Sequence, residues 1–270
     1  MRLSGVLDFP LFAPGPPFGY IPQPNQNGRF LNRNDWVFNE ISMGTARPFT
    51  PAPQKHDEVL LGDSIVSGGN PYRQADRLGV RLEEAADHIV WPISANSWGL
   101  SNELTYLEHH PEVVAGADSF TFVLNSKDLG PASVWASEQT HPTHRPASAL
   151  AYVLSKTFIH HKTPDEPTAI TWPRQWASFT ANAHRPIRVV LYPTKAEAAD
   201  QVLRRQQLTD PLMKALSRPN VQFLDVGADG GWNAMLYRDD IHPTPDGTRR
   251  LAKILSSRSP SLKNSNFERQ

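Results

Sequence analysis

Glu58-Val59-Leu60-Leu61-Gly62-Asp63-Ser64 is an apolar run that stops at a glycine and then turns polar. So short a run, with no helical or alternating spacing, suits a strand buried on both faces, as in a parallel sheet. Gly62 and Asp63 permit a sharp turn. Ser64 therefore falls at the carboxyl end of the strand, the edge where such sheets carry their chemistry. Its N–H opens the next segment and can point at a developing oxyanion. Gly62-Asp63-Ser64 is also an ordinary turn tripeptide, so this stretch argues a fold class before it argues a function.

Outward from it the pattern alternates. Residues 72–86 space Leu78, Leu82 and Ala85 on one helical face, and His88–Ile93 reads as a second strand. A short helix over 101–110 leads to a third strand, Ser119–Leu124, and a helix is expected over 147–160. Ile187–Tyr192 gives the fourth strand and 194–217 a long amphipathic helix. Val221–Val226 gives the fifth strand and Pro245–Leu255 a last helix with Pro245 and Asp246 in its first turn. Strand–helix alternation implies a parallel sheet covered on both faces. Residues 1–56 differ: the prolines of Phe12–Tyr20 forbid a helix, yet Phe9, Phe12, Phe18, Tyr20, Phe30, Trp36 and Phe38 are too apolar for a free linker. They read as an irregular strap packed on a main domain at 57–258, with a short strand near Asp35–Asn39, and 259–270 as a polar tail.

Composition narrows the function classes. Lysine plus arginine balances aspartate plus glutamate at 27 each, which gives no electrostatic reason to expect nucleic acid or an anionic membrane as partner. The absence of cysteine removes disulfides, thiolate catalysis and cysteine metal sites. No stretch is long and apolar enough to cross a bilayer. Met1–Phe18 lacks the basic start and unbroken apolar segment of a signal peptide. Two settings fit: the cytoplasm, or the periplasm or exterior with an export signal or anchor absent from this chain.

Asp239-Asp240-Ile241-His242-Pro243 supplies the second half of a reaction centre. The loop after the fifth strand of a doubly wound sheet reaches the same edge as the loop after the first. A carboxylate three positions before a histidine lets the loop curl back on the imidazole, whose other nitrogen can then meet a serine hydroxyl. Asp239 has that spacing; Asp240 is the alternative orienter, and helix capping is the plain explanation for both. Gly99, isolated before a helix, allows a backbone N–H to approach a ligand with no Cβ in the way.

Gly62-Asp63-Ser64, Gly99 after strand two, a polar loop after strand three and Asp239-x-x-His242-Pro243, in that order over about 57–257, resemble the SGNH, or GDSL-type, hydrolase superfamily. The resemblance implies a flavodoxin-like α/β/α sandwich acting on esters, with Ser64 as nucleophile, His242 as general base and Asp239 as its orienter. It also implies an oxyanion hole from the N–H groups of Ser64 and Gly99 plus a side-chain amide after strand three. That third block departs from the family's glycine-x-asparagine-aspartate: Asn125-Ser126-Lys127-Asp128 puts a lysine where the asparagine belongs. The third donor is then expected to be Asn125 from a remodelled loop, with the Lys127 ammonium, or no third donor, as the alternatives. Losing one donor costs on the order of 100- to 1000-fold in rate. Asp128 matches the family aspartate, expected to organise the loop.

Around this core, Glu138, His141 and His144 have a metal-like spacing, but Pro142 breaks any helix that would align them. No metal or cofactor is expected, and the loop is read as facing substrate. Trp98, Trp135, Trp172, Trp176 and Trp232 fall in or near loops, where aromatic faces suit sugar rings, although each equally suits a core. Trp98, Trp135 and His141 are the expected substrate contacts, while Lys127, Arg145, Arg174 and Arg238 suit an anionic substrate. The expectation is a serine esterase removing O-acyl, chiefly O-acetyl, groups from a small molecule, a carbohydrate or an exopolysaccharide. A polysaccharide O-acetyltransferase and a carbohydrate-binding pseudoenzyme are the competing readings. An exopolysaccharide substrate leans the location towards the cell envelope.

Overall fold

The computed structural model describes residues 8–146, 148, 154 and 170–257. The helix expected over 147–160 and the polar tail at 259–270 lie essentially outside the described residues.

Two hairpins come first: β1 (Phe12–Gly15) with β2 (Gly19–Pro22), and β3 (Gln26–Phe30) with β4 (Asn34–Phe38). A five-stranded, all-parallel sheet follows, built from β5 (Asp57–Gly62), β6 (Ile89–Ser94), β7 (Ser119–Leu124), β8 (Ile187–Leu191) and β9 (Val221–Asp225). Its spatial order is β6-β5-β7-β8-β9. The chain therefore reverses direction across the sheet between β5 and β7, the crevice where doubly wound sheets bind ligands.

Side-chain alternation along each strand divides the core. Leu60, Val90, Val123 and Val190 face α1 (Ser64–Ser67), α2 (Leu78–Ala86) and the last helix. Val59, Leu61, Trp91, Phe120, Phe122, Val189 and Leu191 face α3 (Leu100–His109), α4 (Pro111–Gly116) and α5 (Trp172–Asn182). The result is a three-layer α/β/α sandwich.

The sequence pattern overreached in two helices. The expected helix at 72–86 begins only at Leu78, after a 3-10 turn at Gln74–Asp76, because Arg73 and Arg77 are extended. The single helix expected over 194–217 is broken into α6 (Lys195–Ala199), α7 (Gln201–Arg204), a π-turn at Arg205–Thr209 and α8 (Asp210–Leu216). Asp200 interrupts it by capping a new start, its carboxylate accepting from the N–H groups of Val202 and Leu203. Pro211 has no N–H for the i−4 bond, so the ladder widens just before it. Pro173 opens α5, a helix the pattern had not suggested. The last of the described helices, α9 (Pro245–Ser257), packs against α2.

The N-terminal segment is tied to the sandwich by hydrogen bonds. Trp98 Nε1 donates to the Tyr20 carbonyl, Tyr106 Oη to that of Ile41, and Asn102 Nδ2 to that of Phe18. Phe12, Tyr20 and Met43 are buried in the same core as α3. No helix among the described residues is long and apolar enough to cross a membrane.

Candidate active site

Ser64 is the first residue of α1, with Asp63 alone between it and β5. The turn that presents it is crowded: a Cβ on Gly62 would meet Val66 Cγ2 at 2.6 Å. Asp63 caps the helix, its carboxylate accepting from the Ile65 N–H at 2.8 Å. After one helical turn Gly68 and Gly69, with φ of +71° and +67°, swing the chain away in a conformation most side chains avoid.

The loop between β9 and α9 brings the histidine to this point. Asp239 Oδ1 accepts from the backbone N–H groups of Ile241 and His242, at 3.0 and 2.8 Å, and this curl turns the imidazole back onto the carboxylate. His242 Nδ1 lies 2.9 Å from Asp239 Oδ2, and Nε2 lies 2.9 Å from Ser64 Oγ. Asp240 takes no part in orienting the ring; its carbonyl accepts from the Lys195 N–H. Tyr192 Oη and Tyr72 Oη hold the loop from behind through the carbonyls of Ile241 and Pro243. Burial opposes ionisation of Asp239, but the two N–H donors and the imidazole outweigh it and hold its pKa down to about 2.

Beneath Ser64 lies a set of buried carboxyl groups. Burial pushes Asp63 up to about 6, against the pull of the Ile65 N–H and His242. Asp128 is pushed well above the carboxylate range by burial and by the charges of Asp63 and Glu103, and Glu103 by burial and Asp63. Asn125 sits among them. Its Nδ2 donates to Asp128 at 2.8 Å and lies 3.3 Å from Asp63 Oδ2, while its Oδ1 accepts from the Lys127 N–H.

This arrangement alters the expected oxyanion donors. Asn125 carries no free N–H for substrate, because Asp63 and Asp128 hold its amide. The Gly99 N–H faces Asn102 Oδ1 at 3.2 Å, a long bond within the α3 cap. The backbone approaches closely there, since a Cβ on Gly99 would lie 3.0 Å from the Asp128 carbonyl. Lys127 is exposed at the rim, and the Ser64 N–H has no acceptor among the described residues. Asn96, passed over in the sequence, lines the cleft. Its Oδ1 accepts from Ser67 Oγ at 2.6 Å, leaving Nδ2 without an acceptor among the described residues. The only sequence signal was its place in the same loop as Gly99.

The expected substrate contacts are largely structural. His141 is buried, packed against Tyr20 with ring centroids 3.8 Å apart, and burial pulls its pKa down to about 4. Trp135 donates to the His141 carbonyl and packs on the core, and neither residue reaches the cleft. Trp98 does line the cleft, yet its indole is buried against Tyr20. Trp172, Trp176 and Trp232 are likewise tied inward, to Leu129, Leu216 and Tyr237. The expected metal-like trio separates, because His144 faces Glu138 while His141 points into the core; among the described residues no three such groups are set to hold a metal. Arg145 pairs with Asp8, whereas Arg238 and Lys127 do line the cleft of about 620 Å³ in front of Ser64.

No protein-family model matches the chain, and no curated protein matches its sequence. Among solved structures it is similar to a member of the lipolytic G-D-S-L family from Veillonella parvula, at 12% identity, TM-score 0.45, covering 77% of this chain and 100% of that one. It is similar to a family 2 carbohydrate esterase with a carbohydrate-binding domain from Corynascus thermopiles, at 15% identity, TM-score 0.43, covering 79% and 68%. A third similarity is to the catalytic domain of the Streptococcus pneumoniae peptidoglycan O-acetyltransferase, at 10% identity, TM-score 0.42, covering 75% and 92%. At such identities and scores these likenesses carry no residue role and no activity over to this chain.

Proposed function

We propose that this protein is a serine-dependent ester hydrolase of the SGNH type. The observation that carries the reading is the continuous chain of contacts from Ser64 Oγ through His242 to Asp239, at 2.9 Å per link. An unassisted serine hydroxyl is a poor nucleophile at neutral pH, and a neutral imidazole oriented by a carboxylate corrects that. Asp239, held near 2, stays ionised across the working range and stabilises the imidazolium.

In the reaction, Ser64 Oγ attacks the ester carbonyl as its proton passes to His242 Nε2. The tetrahedral oxyanion forms against the Ser64 N–H, with the Asn96 amide as an uncommitted side-chain donor group in the cleft wall. Collapse breaks the bond to the leaving alcohol, which takes the proton from His242. Water then attacks the acyl-enzyme by the same route and regenerates Ser64. An O-acetylated carbohydrate or exopolysaccharide is the proposed substrate; its support is the open cleft with Asn70, Asn96 and Ser97 in its walls. Transfer of the acyl group to a sugar hydroxyl in place of water is the companion reaction of the same intermediate.

The test is hydrolysis of p-nitrophenyl acetate and longer esters by the protein and by Ser64→Ala, with fluorophosphonate labelling. Labelling at Ser64, and a loss on the order of 10⁴-fold or more in the variant, are expected. Equal rates and no label would overturn the hydrolase reading in favour of a binding protein, to which the engaged Asn125 amide would then belong.

A further inference from the structure

Among the described residues three arginines are deeply buried, and two of them have an anionic partner. Arg188 Nη2 meets Glu58 at 2.7 Å, and Arg204 faces Asp225 at 3.3 Å. The third, Arg77, is 5% exposed and makes no ion pair or side-chain hydrogen bond among the described residues. Its Nε is enclosed and unpartnered. Burial pulls its pKa down to about 10, with Asp35 acting in the opposite direction, so the guanidinium remains charged at neutral pH. A buried cation without a counter-ion is strongly disfavoured unless something supplies the missing charge.

Arg77 faces empty space. It lines a chamber of about 50 Å³, walled by Phe9, Phe12 and Phe38 of the N-terminal segment and by polar groups of the sandwich. At about one 10–15 Å³ unit per water molecule, that holds roughly four waters, or one carboxylate with the carbon beside it. Asn70 and Asn96 line both this chamber and the main cleft, so the two spaces adjoin. Arg77 also borders the small void behind Ser64 and His242.

We propose that this chamber is a carboxylate-binding subsite of the Ser64 cleft, with Arg77 as the charge that receives a free carboxylate on the ester substrate. The planar guanidinium suits a bidentate carboxylate, and the phenyl walls suit the methylenes that carry it. Small size and apolar walls favour the acyl side of the ester, so the class is an ω-carboxyacyl ester such as a succinyl ester. A uronate on the alcohol side would bring the same chemistry. Arg77 is here a specificity-determining residue, and the inference rests on the esterase reading above.

The test compares methyl glucoside 6-O-succinate, its 6-O-acetate and an O-acetylated methyl glucuronide, with acid release followed by proton NMR. The intact protein, Arg77→Met and Arg77→Lys are used. Preference for the succinyl ester over the acetyl ester, on the order of 10- to 100-fold in kcat/KM and carried mainly by KM, is expected, collapsing towards unity in Arg77→Met. The same collapse seen only with the glucuronide supports the subsite and assigns the carboxylate to the alcohol. Succinate and acetate are also titrated into Ser64→Ala by calorimetry, which reads the subsite without turnover. Succinate binding that is lost in Ser64→Ala/Arg77→Met supports the subsite even where no ester is cleaved, a result that would instead sink the esterase reading. Ser64-dependent cleavage of all three esters with no Arg77-dependent preference, and no succinate heat, overturns the subsite and leaves the esterase standing. Thermal unfolding separates binding from scaffolding: an unpaired buried charge replaced by methionine leaves the melting temperature unchanged or higher. A marked fall, shared by Arg77→Lys, assigns Arg77 to structure and overturns the proposal.

Discussion

Asp239 does two jobs with one carboxylate, accepting from its own loop and from the imidazole. Asp239→Asn keeps an acceptor for the loop but no longer secures the His242 tautomer that presents a bare Nε2 to Ser64. A fall in kcat on the order of 10²- to 10⁴-fold is expected with little change in KM, measured on p-nitrophenyl acetate. Asp63 gives a prediction of opposite character. Its pKa is higher folded, at about 6, than the ordinary 3.8, so the native state binds that proton more tightly than the unfolded chain does. Its favourable share of stability is complete below about pH 4 and disappears as pH rises to about 6, a change on the order of 2–3 kcal/mol. Asp63→Asn retains a capping oxygen, so its denaturation midpoints at pH 4 and pH 8 are expected to differ less than those of the parent. The contact between Asp239 and His242 was legible in the sequence because its geometry is local: three positions separate them, and the loop itself closes it. The surroundings of Asn125 and His141 were not. The direction of the Asn125 amide is set by Asp63, 62 residues away, and His141 is buried by Tyr20, both partners that no local spacing reveals.

At the scale of elements, the five strands were legible because each is short, apolar and bounded by turn residues, and the parallel order follows from the helices between them. The long helix over 194–217 was not, since its apolar spacing continues through Asp200 and Pro211 while the hydrogen-bond ladder does not. The N-terminal hairpins also escaped. Only one strand, near Asp35–Asn39, was expected: prolines mask β1 and β2, and β3 is mostly polar, with Asn27 and Gly28 in place of apolar strand formers. The hairpin β1–β2 depends on Gly19, whose φ is +72° and whose Cβ would lie 2.1 Å from the Ser133 carbonyl. Gly19→Ala is expected to cost roughly 1–3 kcal/mol in urea unfolding, while Gly230→Ala, with open space around it, stays within about 0.5 kcal/mol.

For the whole molecule, Asn102 is the knot between the N-terminal hairpins, the Gly99 loop and the loop after β7. Its Nδ2 donates to the carbonyls of Phe18 and Ser133, and its Oδ1 accepts from the N–H groups of Gly99 and Ser133. Asn102→Leu strips partners from buried and half-buried groups on three segments, so a loss of roughly 2–3 kcal/mol is expected, with faster proteolysis between residues 8 and 55. Distance along the chain has a further consequence in time. Ser64 and His242 are 178 positions apart, and the histidine loop is pinned by Tyr192, just after β8, and by Tyr72, ahead of α2. At roughly 5–20 residues per second, a ribosome releases the nucleophile roughly 10–40 s before its base. A nascent chain thus carries an inert serine for most of its synthesis, and the return of ester cleavage during refolding becomes a stopwatch for the last contact to form.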